Sequence, residues 1–317
     1  MTTPRAASQS ATSSHQSDFN IRLSQPPASY YKLHLPQDDQ PHGYLIPSVV
    51  EHMPWTTDFA IDHQQRTVVL QDASNGSDTA TTVNQAFARL INICVDNNIF
   101  SAICGRHSEP FAIPSARYPQ PVYLERFAAN LFGITCRGAH LVCYTMSTDE
   151  GMKLWIPRRA EHLFTYPGML DATVAGGVKS GVPPFQTITE EADEEASLPA
   201  DVVRKHAKSR GVISHMSLTG KGFSGEQGLV VPDYIYVYDM ELPPDMIPKP
   251  HDDEVGSFTS MTVEEVKAAL LREEFKPDSA AVIVDFFITH SVLTAENCPD
   301  FVEISMRLHR RLPFRTG

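Results

Sequence analysis

Apolar residues change their spacing several times along the chain, and each change predicts an element. Val83, Phe87, Leu90, Ile91 and Cys94 recur at helical intervals after a Gly76-Ser77 loop, the pattern of an amphipathic helix. Thr67 to Leu70 is a short β-rich run. Leu124 to Phe132 reads as a second helix, ended by Gly133. Beyond about residue 135 the pattern shifts to strands at His140–Tyr144, Lys153–Ile156 and Tyr234–Tyr238, while Val282 to Ile288 suits helix or strand. Strands mixed with helices predict a sheet covered on both faces. The organisation expected is a Ser/Thr-rich, disordered leader over 1–19, a small α+β domain over 20–134 and a larger α/β domain over 135–317. There is no internal repeat.

Composition narrows the function. The chain has 317 residues, 42% of them hydrophobic and 20% charged, as in a globular protein. Lys plus Arg is 26 and Asp plus Glu is 38, a net charge of −12. That argues against nucleic acid and against an anionic membrane surface as partners. An acidic protein can still hold a phosphate ligand if a cation stands between them. The five cysteines (Cys94, Cys104, Cys136, Cys143 and Cys298) are odd in number and form no CxxC pair, which predicts a reducing compartment and no zinc site. A cytoplasmic location follows. A mitochondrial leader is the weaker alternative, since Arg5 is the only base before Asp18. The apolar stretch Ala280–Ile288 is broken by Asp285, and no run approaches the ~18 residues of a membrane span. The basic end, Arg307, His309, Arg310, Arg311 and Arg315, reads as a solvated helix face.

The segment that carries chemistry is Gly176-Gly177-Val178-Lys179-Ser180-Gly181-Val182-Pro183-Pro184 and the residues to Leu198. A glycine-rich loop runs into a helix whose first turn tolerates proline. Glu191, Glu194 and Glu195 follow at i, i+3 and i+4, on one helix face. Phe185, Ile188, Ala192 and Ala196 form the arc that packs on a sheet, and Glu190 and Asp193 point to solvent. Like charges at this spacing repel, and a divalent cation converts the repulsion into binding. Magnesium takes hard oxygen ligands and is held by a few carboxylates plus substrate phosphates. The glycines bring backbone close to an anion or present a carbonyl to the metal. On spacing alone, an exposed acidic helix face is the competing reading.

This segment resembles the Nudix box, G-x5-E-x7-R-E-U-x-E-E-x-G-U, with Gly176 first, Glu191, Glu194 and Glu195 as the box acids and Leu198 as the last aliphatic position. The resemblance continues in Leu154–Arg159, Tyr166–Asp171 and Val174–Gly177. It also takes in Glu125-Arg126, Leu131–Ile134, Gly138–His140, Tyr236–Asp239, Asp252–Val255, Glu274–Pro277 and Leu308–Pro313. These motifs are similar to a eukaryotic Nudix branch labelled thiamine pyrophosphokinase-related, which carries an N-terminal domain of unknown function. The resemblance implies a Nudix α/β/α sandwich with a mixed sheet, magnesium or manganese, and hydrolysis of a small-molecule diphosphate. Thiamine diphosphate, or an oxidised or damaged form of it, is the substrate the branch label suggests. The implied metal ligands are Gly176, Glu191, Glu194 and Glu195, with Glu194, Glu195 and Glu254 in catalysis. Arg158, Arg159 and Lys179 lie near enough in sequence to hold phosphate oxygens. A homodimer is compatible with this reading.

The chain also departs from the box. Val182 takes the place of its first glutamate, Glu190 of its arginine and Ser197 of its last glycine, while Ala160 and Leu163 replace the branch's usual Ser and Lys. Val182 and Glu190 keep open a second reading, a catalytically weak or inactive module that binds a nucleotide-like ligand or a protein partner. A kinase, fused to this module in some family members, finds no room after residue 317. His140, His215 and His290 lack a paired nucleophile and read as ordinary polar or core residues. Tyr234, Tyr236 and Tyr238 share one strand face that serves the core or stacks a ring. Lys221-Gly222-Phe223-Ser224-Gly225 lacks the phosphate-loop pattern.

Overall fold

The computed structural model describes residues 27–220, 222–243 and 245–314. The expected leader, Lys221 and Arg315 lie outside the described residues. The N-terminal unit begins with β1 (Tyr31–His34), β2 (Gly43–Leu45), α1 (Pro47–His52), β3 (Phe59–Asp62) and β4 (Thr67–Leu70). Its sheet runs β2-β1-β4-β3, with β1 and β4 parallel. α2 (Thr79–Asp96) turns Val83, Phe87, Leu90, Ile91 and Cys94 into the core, as their spacing requires. β5 (Pro110–Ala112) and β6 (Tyr123–Glu125) form a short ribbon before α3 (Arg126–Phe132).

The helix expected from Leu124 thus starts at Arg126. Leu124 is instead paired with Phe111 across the ribbon, and that pairing overrides its helical spacing. Gly133 closes α3 at φ 59°, and a Cβ there would fall 2.2 Å from the Tyr44 carbonyl oxygen. Only glycine meets both demands.

The second unit contains β7 (Cys136–Ser147), β8 (Gly151–Arg159), β9 (Val174–Gly177), α4 (Pro184–Ala196) and α5 (Ala200–His206). It continues with β10 (Lys208–Leu218), β11 (Val230–Glu241), β12 (Val255–Thr262), α6 (Val263–Leu271), α7 (Pro277–Thr289) and α8 (Phe301–Leu308). The sheet order is β10-β11-β7-β8-β12, and β9 also pairs with β7. β7 and β11 are parallel and the other pairings antiparallel, so the sheet is mixed. Alternation along β7 sends Ala139, Leu141 and Cys143 toward α4 and α5, and Val142 and Tyr144 toward α6, α7 and α8. The result is the α/β/α sandwich with a small α+β unit before it. Val282 to Ile288 is helical, within α7.

On the tyrosine face Tyr238 is core, and Tyr234 and Tyr236 are half-buried against core residues. Tyr238 meets the Phe185 ring at 5.6 Å between centroids, and Tyr234 packs beside Tyr44, Leu312 and Phe314. The basic end is only partly solvated. Arg307 pairs with Glu303, but half-buried Arg310 donates to the Met216 carbonyl, and its own carbonyl accepts from Ser214. No helix among the described residues is long and apolar enough to cross a membrane. Cys94, Cys104, Cys136, Cys143 and Cys298 are all unpaired thiols.

Candidate active site

Local sequence chemistry builds the first half of the site. Pro184 opens α4, and Ile188, Ala192 and Ala196 bury its inner arc completely. That rotation fixes the acids. Glu195 is buried and its carboxylate accepts the Ala175 N–H of β9 at 3.0 Å. Glu191 is half-buried, and Glu194, Glu190 and Asp193 are exposed. The three candidate ligands therefore run from the protein interior to solvent along one edge of α4. Gly176 is the counterpart on β9. A Cβ there would come within 2.5 Å of the Glu191 Cγ, so the carboxylate arm lies directly on the glycine backbone. Lys179 is exposed and still near enough to oppose the rise in the Glu191 pKa.

Long-range packing builds the second half. The segment before β12 is stitched to the end of α4, with Lys249 N–H donating to the Ala196 carbonyl, Asp252 N–H to the Glu194 carbonyl and the Ser197 hydroxyl to the Lys249 carbonyl. On the far side, Ala160 N–H donates to the Glu254 carbonyl at 2.8 Å. Glu254 is thereby delivered to the mouth of a cavity that Gly176 also lines. Burial pushes the Glu191 carboxyl up to about 7, with repulsion from Glu194, Glu254 and Asp252 adding to it. Burial raises Glu195 well above the carboxylate range, and repulsion from Glu191 adds to it.

These groups fit a divalent cation by their chemistry. They are hard oxygen donors of one charge, held together by the fold against their own repulsion, beside a glycine cradle. Among the described residues, no three His, Cys, Asp or Glu side chains stand close enough together to hold a metal ion without side-chain movement.

The adjacent arginines separate. Arg159 turns inward, where Nη1 donates to Asp171 at 3.1 Å and Nη2 to the Thr165 carbonyl, leaving its buried Nε with no partner. Arg158 turns to the opposite side of β8, donates to the Gly168 carbonyl and borders a depression with Glu265 and Arg272. Period-two alternation makes this division unavoidable once the segment is a strand. Of the expected phosphate ligands, the structure brings Arg159 to the cavity beside Glu254 and takes Arg158 away.

The cavity holds about 240 Å³ and runs from Gly176 and Glu254 toward the start of α7. Its inner end carries residues that sequence reading left without a role. His140 is buried, its Nδ1 has no partner, and burial lowers its pKa. Lys276 donates to Asp278 at 2.9 Å. Burial works against both charges, yet the pairing wins, raising the lysine and lowering the aspartate. His215 faces Asp233 at 3.7 Å. The N-terminal unit supplies Phe111, Arg126 and Asn130 to the same wall. Lys276 stands inside the matched Glu274–Pro277 segment, and that position was its only signal.

No family model matches the chain. Over 221 residues, 68% of the chain, it is 38% identical to an uncharacterized protein of Saccharomyces cerevisiae, and the match spans 64% of that protein. Over 229 residues, 72% of the chain, it is 33% identical to Nudix hydrolase 20, chloroplastic, of Arabidopsis thaliana, spanning 58% of it. Nudix hydrolase 24, chloroplastic, of the same plant is 32% identical over 71% of the chain, again spanning 58% of the relative. The chain thus spans about three-fifths of the length of the curated relatives it matches. A solved Nudix domain, that of Shewanella oneidensis NrtR complexed with ADP ribose, aligns at 14% identity and TM-score 0.38, covering 51% of this chain and 91% of that one. The chain belongs to the Nudix hydrolase family.

Proposed function

We propose that the protein is a divalent-metal-dependent diphosphatase that cleaves a diphosphate linkage in a small organic diphosphate. The observation that carries this reading is the electrostatic coupling of Glu191 and Glu195 of α4 to each other and to Glu254, with Glu194 beside Glu191, next to a cavity that Gly176 and Glu254 line. Glu191, Glu194 and Glu195 hold magnesium or manganese, with the Gly176 carbonyl as a further ligand. The metal, when bound, neutralises phosphate charge and acidifies a water. Glu254 completes the ligand set or takes a proton from the attacking water. Arg159 and Lys179 bind phosphate oxygens. The organic group of the substrate lies toward His140 and Lys276, under the wall that the N-terminal unit provides.

Thiamine diphosphate, or an oxidised or damaged form, is the substrate we favour, on the resemblance to the thiamine-related branch. The test is phosphate release by purified protein with magnesium, offered thiamine diphosphate, its oxidised analogues, nucleoside diphosphate sugars and dinucleotides. Turnover that survives Glu194→Gln/Glu195→Gln would remove these residues from the metal site. A second reading, a module that binds such a ligand without cleaving it, is favoured by Glu190. The usual box arginine is absent there, and the glutamate merely accepts the Gln186 amide at 2.7 Å on the exposed side of α4. Tight binding with no phosphate release in excess magnesium would establish it.

A further inference from the structure

The loop between β10 and β11 leaves its own sheet and lodges in the N-terminal unit. Phe223 and Leu229 are buried in the N-terminal hydrophobic core, although the strands flanking them belong to the other sheet. The two carboxylate oxygens of Glu226 accept the N–H groups of Ser101 and Ala102, at 2.7 and 3.0 Å. Tyr30 donates its hydroxyl to the Gly228 carbonyl at 2.9 Å. The approach is close. A Cβ on Gly225 would sit 2.5 Å from the Phe223 ring and 3.0 Å from the Ala102 Cα. Within the loop, the Thr219 hydroxyl accepts the Leu229 N–H and donates to the Glu226 carbonyl. The loop is therefore fastened both to itself and to the N-terminal unit.

Phe223 stands between that anchor and the substrate cavity. It borders both the cavity that His140 lines and a neighbouring one lined by Arg106 and Leu163. Its ring meets Phe164 edge-on at 6.1 Å, and the Tyr166 N–H donates to the Gly222 carbonyl beside it. An untethered loop of this length samples many conformations, and closing it costs entropy. Two charge-assisted hydrogen bonds from one carboxylate select a single closed form. None of the candidate metal ligands lies on the loop, so its position bears on the organic group and not on the cation.

We propose that Glu226 is a positioning residue that, by pinning this loop to the N-terminal unit, sets Phe223 as the aromatic wall selecting the organic part of the substrate. The proposal rests on the diphosphatase reading for what enters the cavity, but its test does not need turnover. Binding of thiamine diphosphate and of ADP-ribose to the full chain is measured by calorimetry in calcium, with inorganic pyrophosphate as the probe that lacks an organic group. Glu226→Gln and Phe223→Leu each weaken a ring-bearing probe about tenfold, near 1.4 kcal/mol, and leave pyrophosphate within about twofold. The double variant binds no more weakly than Phe223→Leu alone, because both act through one contact. Hydrogen exchange over 222–229 rises in Glu226→Gln, a change that keeps the side chain's shape at a half-buried position. Additive losses, equal weakening of pyrophosphate, or unchanged selectivity would overturn the proposal, as would a wild-type protein that prefers neither ring-bearing probe to pyrophosphate. Wild-type protein that binds with this selectivity yet releases no phosphate in magnesium would defeat the diphosphatase reading and leave the clasp standing.

Discussion

Replacing Glu191 by glutamine separates the cost of holding the site together from the benefit of filling it. In the metal-free protein the Glu191 carboxyl is half-buried beside Glu194 and Glu254, and its pKa stands at about 7 where an ordinary glutamate has 4.5. The folded state then binds the proton more tightly than the unfolded chain. Stability from this group is full below about pH 4.5 and is lost as pH rises through about 7. At about 1.4 kcal/mol for each pH unit across that interval, the ceiling is about 3 kcal/mol. Solvent screening at a half-open position reduces this to about 1–2 kcal/mol. Glutamine keeps the shape and removes the charge.

At pH 8 in EDTA, Glu191→Gln should therefore unfold a few degrees above wild type, and at pH 4.5 the two should coincide. In excess magnesium the order reverses, because wild type gains ligand-linked stability and the variant gains little. Differential scanning calorimetry over this grid of pH and metal is the assay. A variant less stable than wild type at pH 8 in EDTA would refute the argument that burial, with repulsion added, penalises this carboxylate. Equal gains from magnesium in both proteins would remove Glu191 from the ligand set.

Three further outcomes follow from the same geometry. Gly176→Ala drives a Cβ into the Glu191 arm, so the magnesium-induced rise in unfolding temperature should vanish, at a stability cost of about 1–3 kcal/mol. In a denaturant titration Arg158→Ala should cost little, whereas Arg159→Ala removes the ion-pair partner of buried Asp171, which keeps Lys276 nearby and its hydrogen bonds from Ala172 and Ser279, and should cost about 1–3 kcal/mol. Equal effects of the two would contradict their placement on opposite sides of β8. Ser197 holds a left-handed conformation at φ 54° at the end of α4, and its hydrogen bond to the Lys249 carbonyl is exposed, so Ser197→Gly should raise stability by up to about 0.5 kcal/mol in a thermal melt.

The sequence by itself determined the pieces whose physics is local. Helical spacing placed Glu191, Glu194 and Glu195 along one edge of α4 and sent Ile188, Ala192 and Ala196 to the sheet. β-rich runs marked the cores of β4, β7, β8 and β11, and the box resemblance picked out Gly176. Where local preference met a competing partner, it failed. Leu124 fits a helix but pairs in a strand, and Tyr238 suits ring stacking on a ligand but packs on Phe185 of α4 instead. Arg158 and Arg159 were adjacent in sequence and ended on opposite sides of β8.

Only the tertiary structure decided what meets what. Glu254 comes near enough to repel the Glu191 carboxylate because backbone hydrogen bonds from Lys249 and Asp252 tie its segment to the end of α4, and no spacing rule spans that separation in the chain. His140, Asp233 and Lys276 come from β7, β11 and the segment leading into α7, and share a chamber because those elements pack together. Phe223 joins the wall of Phe111 and Arg126 because its loop lies buried in the core of the N-terminal unit. Periodicity records which face of an element is apolar. It does not record which other face will cover it, because that depends on shape and charge fit between segments far apart in the chain.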